Sequence, residues 1–105
     1  MELEALIRAL APSEVTGARP VAIGDLAYDT RSVTNGALFF CVPGTRVDGH
    51  DLAWEAIERG ASALVVERQL EVAVPQIVVP DVRAAMAVAA DTFFGSRPTS
   101  SRSSV

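Results

Sequence analysis

The stretch that decides the fold is Ala37–Glu67, "ALFFCVPGTRVDGHDLAWEAIERGASALVVE". It opens on six consecutive apolar residues, "ALFFCV", bounded by Asn35-Gly36 before and Pro43-Gly44 after. A short unbroken apolar run between turn residues predicts a strand buried on both faces. A polar loop, 45–51, comes next. Asp51 is placed to cap a helix over 52–59, and Gly60 stands where a helix C-terminus wants glycine. "ASALVVE", 61–67, then predicts a second buried strand. Strand, helix and strand within about thirty residues form a βαβ unit, which places its two strands parallel with a right-handed crossover.

The flanks extend this unit in both directions. Leu3, Leu6, Ile7 and Leu10 fall on one face of a helix over 2–10 that Ala11-Pro12 ends. Residues 13–20 read as a loop. "VAIGDLAY", 21–28, predicts a strand with Gly24 as a candidate bulge. "RQLEVAVP" is a surface connection, and "QIVV", 76–79, a further strand. Asp81 is a candidate N-cap for the best helix of the chain, whose inner face is Val82, Ala85, Met86, Ala89 and Phe93, with Gly95 as its stop. The order α, β, β, α, β, β, α predicts an α/β fold in which helices flank a small, mostly parallel or mixed sheet. Residues 1–95 form one domain in this reading. The serine- and arginine-rich residues 96–105 hold too little apolar surface to offset ordering, so a disordered tail is expected there.

Composition removes several classes of function. The chain has 105 residues, half of them hydrophobic, and a formal charge of −4, which disfavours nucleic-acid binding. No apolar run is long enough to span a membrane, and the acidic amphipathic start is unlike a signal peptide, so the cytoplasm is the default compartment. All nine basic side chains are arginine. A phosphate-binding P-loop needs its lysine, so the chain carries none, and a Schiff-base lysine is excluded as well. One histidine and one cysteine cannot build a Cys/His zinc site. Cys41, inside an apolar strand, reads as a core residue, and Trp54 as a core or half-buried one.

Two polar segments remain as places for chemistry. "YDTR", 28–31, sits at the end of a strand. Asp29 can accept backbone N–H groups in a turn, or the corner can meet a polar ligand through its hydroxyl and amides. Arg31 can pair with Asp29 or Asp48, or reach a phosphate. "DGHD", 48–51, lies ahead of a helix. It reads as a glycine turn with a cap, or as an anion site at the helix start, although Asp51 already satisfies those amides. His50 reads as a turn residue without triad partners. Local chemistry therefore gives a ligand corner and no catalytic machinery.

Taken jointly, D-T-R, G-x-L-F, D-G-H and A-x-x-x-G-A over 28–67, together with "PQIVVPDVRAAMAVAADTFFG" downstream, resemble the N-terminal domain of the Mur ligases. These are ATP-dependent synthetases that extend UDP-N-acetylmuramoyl peptides in peptidoglycan assembly. The "FFGSRP" helix end is similar to the branch that adds diaminopimelate or lysine to UDP-N-acetylmuramoyl-L-alanyl-D-glutamate. The D-alanyl-D-alanine-adding branch is the near alternative, and a free-standing nucleotide-binding or interaction module is the other. Asn35, where proline is common, and Leu52, where phenylalanine is common, depart mildly from the pattern. The resemblance implies that Thr30 bonds the nucleotide and that Tyr28 lines the uracil pocket. It implies that Thr45, Arg46 and Val47 close over the ligand, and that Asp29, Arg31, Asp48 and Gly49 hold the shape of the loops. ATP and Mg2+ are implied for the full-length enzyme and no cofactor for this chain, which is expected to be a monomer. The family's glycine-rich ATP loop follows this domain. The Ser/Arg-rich end stands in its place here, which reads as a truncation, a change of frame or an isolated domain that is inactive alone.

Overall fold

The computed structural model describes residues 1–17, 19–42 and 52–94. Helix α1 spans Leu3–Leu10, strand β1 Glu14–Thr16, β2 Asp25–Ala27 and β3 Ala37–Phe40. Helix α2 spans Ala53–Glu58, β4 Ala63–Val66, β5 Gln76–Val78 and α3 Val82–Phe94. The five strands form one mixed sheet in the order β1-β5-β4-β3-β2. Strands β2 to β5 run parallel, in registers that include Leu26 with Leu38, Phe39 with Leu64 and Val65 with Ile77.

Alternation along the central strands divides the core in two. Leu38, Phe40, Ala63, Val65 and Ile77 face α1 and α3, where they meet Leu3, Leu6, Val82, Ala85 and Ala89. Ala37, Phe39, Cys41, Leu64 and Val66 face the opposite way, onto Ala53 and Ala56 of α2 and Val33 of the β2–β3 connection. All four residues of β3 and of β4 are buried, which accounts for their unbroken apolar runs. The inner face of α3 is the one its periodicity predicts. Val82, Ala85 and Ala89 are buried, with Met86 and Phe93 packed against the same cluster.

Two readings are corrected. Residues 14–16 are not loop: they form β1, antiparallel to β5 with Val15 opposite Ile77. Three residues carry no period of their own, and the strand exists because the open edge of β5 offers backbone partners. The strand expected over 21–28 is confined to Asp25–Ala27. Ahead of it the chain is held by other bonds: the Ile23 N–H donates to the Met1 carbonyl at 2.6 Å, and the Gly24 N–H to the Gly36 carbonyl at 2.9 Å. Gly24 thus precedes the strand instead of bulging within it. Trp54 is half-buried, one of the two placements its type and position predict, with half of its surface exposed on α2.

Polar side chains fasten the connections. Gln76 is buried within β5, and its amide spans the backbone of Leu70: the Leu70 N–H donates to Oε1 at 2.6 Å, and Nε2 donates to the Leu70 carbonyl at 2.5 Å. The β4–β5 connection is thereby held against the sheet. Also at the amino ends of the strands, Gly36 (φ +86°) donates its N–H to the Gly60 carbonyl at 2.9 Å. Gly60 has φ +118°, and a Cβ there would lie 2.5 Å from Asn35 Oδ1 and 3.0 Å from Asn35 Cα. Both the backbone conformation and the space demand glycine. Gly60→Ala is expected to cost about 3 kcal/mol, since positive φ and overpacking add, which lowers Tm by more than about 10 °C. Gly24→Ala is the control, because a Cβ there meets nothing within 4 Å; its Tm should stay within a few degrees of wild type. Thermal unfolding of the two variants checks both.

Candidate functional site at the carboxyl ends of the strands

Four parallel strands put four carboxyl ends on one rim of the sheet. In open α/β sheets ligands bind outside that rim. The turn Thr30–Ser32 follows β2, Val42 follows β3, Glu67 and Arg68 follow β4, and Asp81 follows β5.

The corner after β2 is built by one carboxylate. Asp29 caps a single 3-10 turn over Thr30–Ser32, its Oδ1 accepting the Arg31 N–H at 3.0 Å. The Arg31 side chain folds back on the same group, with Nη2 3.1 Å from Oδ2 and Nε 3.5 Å from Oδ1. The guanidinium bond holds the Asp29 carboxyl below its ordinary range, helped by the backbone N–H, and the same pairing raises Arg31. Between the two paired residues, Thr30 turns inward and is 7% exposed. Among the described residues none hydrogen-bonds its hydroxyl. No described side-chain oxygen or nitrogen is sealed from solvent without a partner, so the Thr30 oxygen keeps a path outward.

Tyr28 stands beside this corner with two thirds of its surface exposed. It borders a slot of about 170 Å³ whose walls are Leu26 and Ala27 of β2, Phe40 of β3, and Met86, Ala90 and Phe94 of α3. The slot is apolar and narrow. A larger, open hollow of about 450 Å³ lies among Glu4, Ile7, Val15, Arg19 and Pro20, by the opposite edge of the sheet. Its charges are engaged elsewhere. Glu4 pairs with Arg8 at 3.2 Å, and Arg19 donates to the Ala73 carbonyl at 3.2 Å. The larger cavity is therefore the poorer candidate.

The first amides of α3 are not open to a ligand. Asp81 Oδ1 accepts from Arg83 at 3.0 Å and from Ala84 at 3.3 Å, while Glu67 Oε2 accepts from Val82 at 2.9 Å. Sequence reasoning finds Asp81 as the cap but misses Glu67, which sits fifteen residues before Val82 and meets the helix only through the β4–β5 pairing. Thr45, Arg46, Val47, Asp48, Gly49, His50 and Asp51 lie outside the described residues, as do Gly95 and the tail 96–105. Among the described residues no group of three metal-binding side chains forms, and no helix is long and apolar enough to cross a membrane.

Residues 23–94 match the family model described as "Mur ligase family, catalytic domain". The chain belongs to the Mur ligase family. Over 74 residues, 70% of this chain, it is 61% identical to the UDP-N-acetylmuramoyl-L-alanyl-D-glutamate–2,6-diaminopimelate ligase of Geobacillus thermodenitrificans. Over 96 residues, 91% of this chain, it is 42% identical to the ligase of the same name from Listeria monocytogenes. These matches span 15% and 20% of the relatives' own lengths, so the chain corresponds to a fifth or less of either. Among solved structures, MurF from Acinetobacter baumannii superposes with a TM-score of 0.75 over 85% of this chain and 20% of that one, at 23% identity. That likeness establishes the fold: a Mur ligase N-terminal region with a mixed five-stranded sheet between helices.

The Asp29–Arg31 pairing has a titration consequence. The ionised carboxylate is favoured in the folded chain. Its contribution to stability is therefore full above the ordinary carboxylate value of about 3.9 and is lost as pH falls through the lower folded value. An NMR titration of the Asp29 carboxyl carbon should show a midpoint below that ordinary value. Arg31→Gln should move it back up. An unchanged midpoint in the variant would mean that the guanidinium is not the cause.

Proposed function

We propose that this domain holds the uridine diphosphate end of UDP-N-acetylmuramoyl-L-alanyl-D-glutamate for a ligase of peptidoglycan synthesis. The observation that carries the reading is the Thr30 hydroxyl, bonded by no described residue and held in the turn after β2, two residues beyond Tyr28, which borders the apolar slot. A pyrimidine base needs such a pair of features: apolar walls for its faces, and a group that both donates and accepts for its edge. The hydroxyl can donate to a uracil carbonyl or accept from N3–H. Tyr28 walls the slot, and its exposed ring can cover a base. Asp29 and Arg31 spend their charges on each other and so fix the turn that presents Thr30. Thr45, Arg46 and Val47 are proposed to close over the nucleotide, with Asp48 and Gly49 shaping their loop.

Identity of 61% with a diaminopimelate-adding ligase favours that branch over the D-alanyl-D-alanine-adding one, to which the likeness is one of fold. ATP and Mg2+ are proposed to serve the full-length enzyme, with amide formation carried out by its other domains. In this chain, which has no lysine, the work is binding. The proposed setting is a cytoplasmic monomer.

Titration with UDP-N-acetylmuramic acid, followed by amide chemical shifts, tests the assignment. Shifts should cluster at 28–31 and 45–49. Thr30→Val keeps the volume and removes a bond of about 0.5–1.5 kcal/mol, so affinity should fall roughly two- to tenfold with the fold unchanged. Shifts that are absent there, or equal with an adenine nucleotide, would overturn the uridine assignment and favour an interaction module.

A further inference from the structure

Strand β2 is an edge of the sheet, with β3 on one side and no strand on the other. An open edge is a template for another strand, and small α/β domains that leave one bare risk pairing with copies of themselves. β2 has three residues, and its middle N–H, that of Leu26, does not bond another strand: it donates to the carboxylate of Asp25, 2.8 Å away. This contact is unlike the other carboxylate–backbone bonds of the molecule. Asp29 and Asp81 cap turns, and Glu67 caps a helix. Asp25 caps nothing, since its acceptor is spent on the next amide of its own strand.

We propose that Asp25 closes the β2 edge against a second copy of this chain. An incoming strand would have to place a carbonyl oxygen at about 2.9 Å from the Leu26 nitrogen. A carboxylate oxygen already occupies that position, bound more strongly than a neutral carbonyl would be, and its charge repels the carbonyl that would displace it. The opposite edge has its own cover. Gln69, from the β4–β5 connection, donates its amide to the Thr16 hydroxyl and to the Glu14 carboxylate of β1. Met1 and Glu2 pair with Ile23 and Ala22, ahead of β2, but no described segment bonds the outer side of Asp25–Ala27, and Asp25 does the work from within the strand. The occupant kept out is a second β2 edge, because identical edges meet about a two-fold axis, the commonest symmetry of small assemblies. The inference rests on the sheet and one hydrogen bond, and stands whether or not the domain binds a nucleotide.

The test compares the full chain with Asp25→Ala and Asp25→Asn by sedimentation between about 10 and 500 µM, alongside amide hydrogen exchange at Leu26. Asn keeps an acceptor oxygen in the same place but not the charge, so it should fall between wild type and Ala. Ala removes it, so the variant should pass from 11.1 kDa toward twice that mass as concentration rises. The Leu26 amide of Asp25→Ala should exchange at least tenfold faster than in wild type when dilute, and regain protection when concentrated. Circular dichroism confirms that each variant is folded. An Asp25→Ala chain that is folded and stays monomeric throughout the range overturns the proposal. So does one that associates without protecting Leu26.

Discussion

The structure depends on parallel pairing across β2 to β5, each strand laid on the same side of the one before it. Parallel neighbours cannot be joined by a tight hairpin, so the chain must return along the sheet each time. Crossovers of one hand that advance in one direction cover one face. Val33 from the first return, Ala53 and Ala56 of α2 from the second, and Leu70, Val72 and Val74 from the third all pack on that face. Among the described apolar residues of the crossovers, Val42 alone joins the other face. That face is covered by α1 and α3, the first and last helices, which pack together over Leu38, Phe40 and Val65.

The same constraint makes the site. Every parallel strand ends on one rim, so polar residues that follow strands are gathered there whatever their distance in sequence. The β2–β3 return has only nine residues between its strands. It reverses direction by a 3-10 turn, and one carboxylate organises that turn. Asp29 takes the Arg31 N–H and then the Arg31 guanidinium. The residue enclosed between them is left with its hydroxyl bonded by no described residue. The binding proposed for Thr30 is thus a consequence of how tightly this short crossover must turn.

At the rim and the edges, the carboxylates do most of their work on the protein's own backbone. Asp81 and Glu67 consume the first amides of α3, Asp29 those of its turn, and Asp25 an edge amide. Among the described residues, the start of α3 is therefore poorly suited to hold a phosphate. That directs attention to the uncharged corner at Tyr28 and Thr30 as the recognising surface.

Much of this was legible in the residues. Buried apolar runs identified β3 and β4, and a 3.6-residue period gave the inner face of α3. Asn-Gly and Gly60 marked the turns, and the D-T-R and D-G-H patterns pointed to the family. These are signals that neighbouring residues carry among themselves. What the sequence could not show are features whose partner is remote. β1 is a strand only because β5 lies beside it. Glu67 is a helix cap only because β4 delivers it to α3, and Gln76 is a clasp only because Leu70 passes over it. Trp54, apolar by type, stays half exposed because the inner face of α2 is filled by Ala53 and Ala56, small enough to bring the helix close to Phe39. Local chemistry determined which residues form elements and turns. Tertiary structure decided which hydroxyl no described residue bonds, because that depends on every group brought near it.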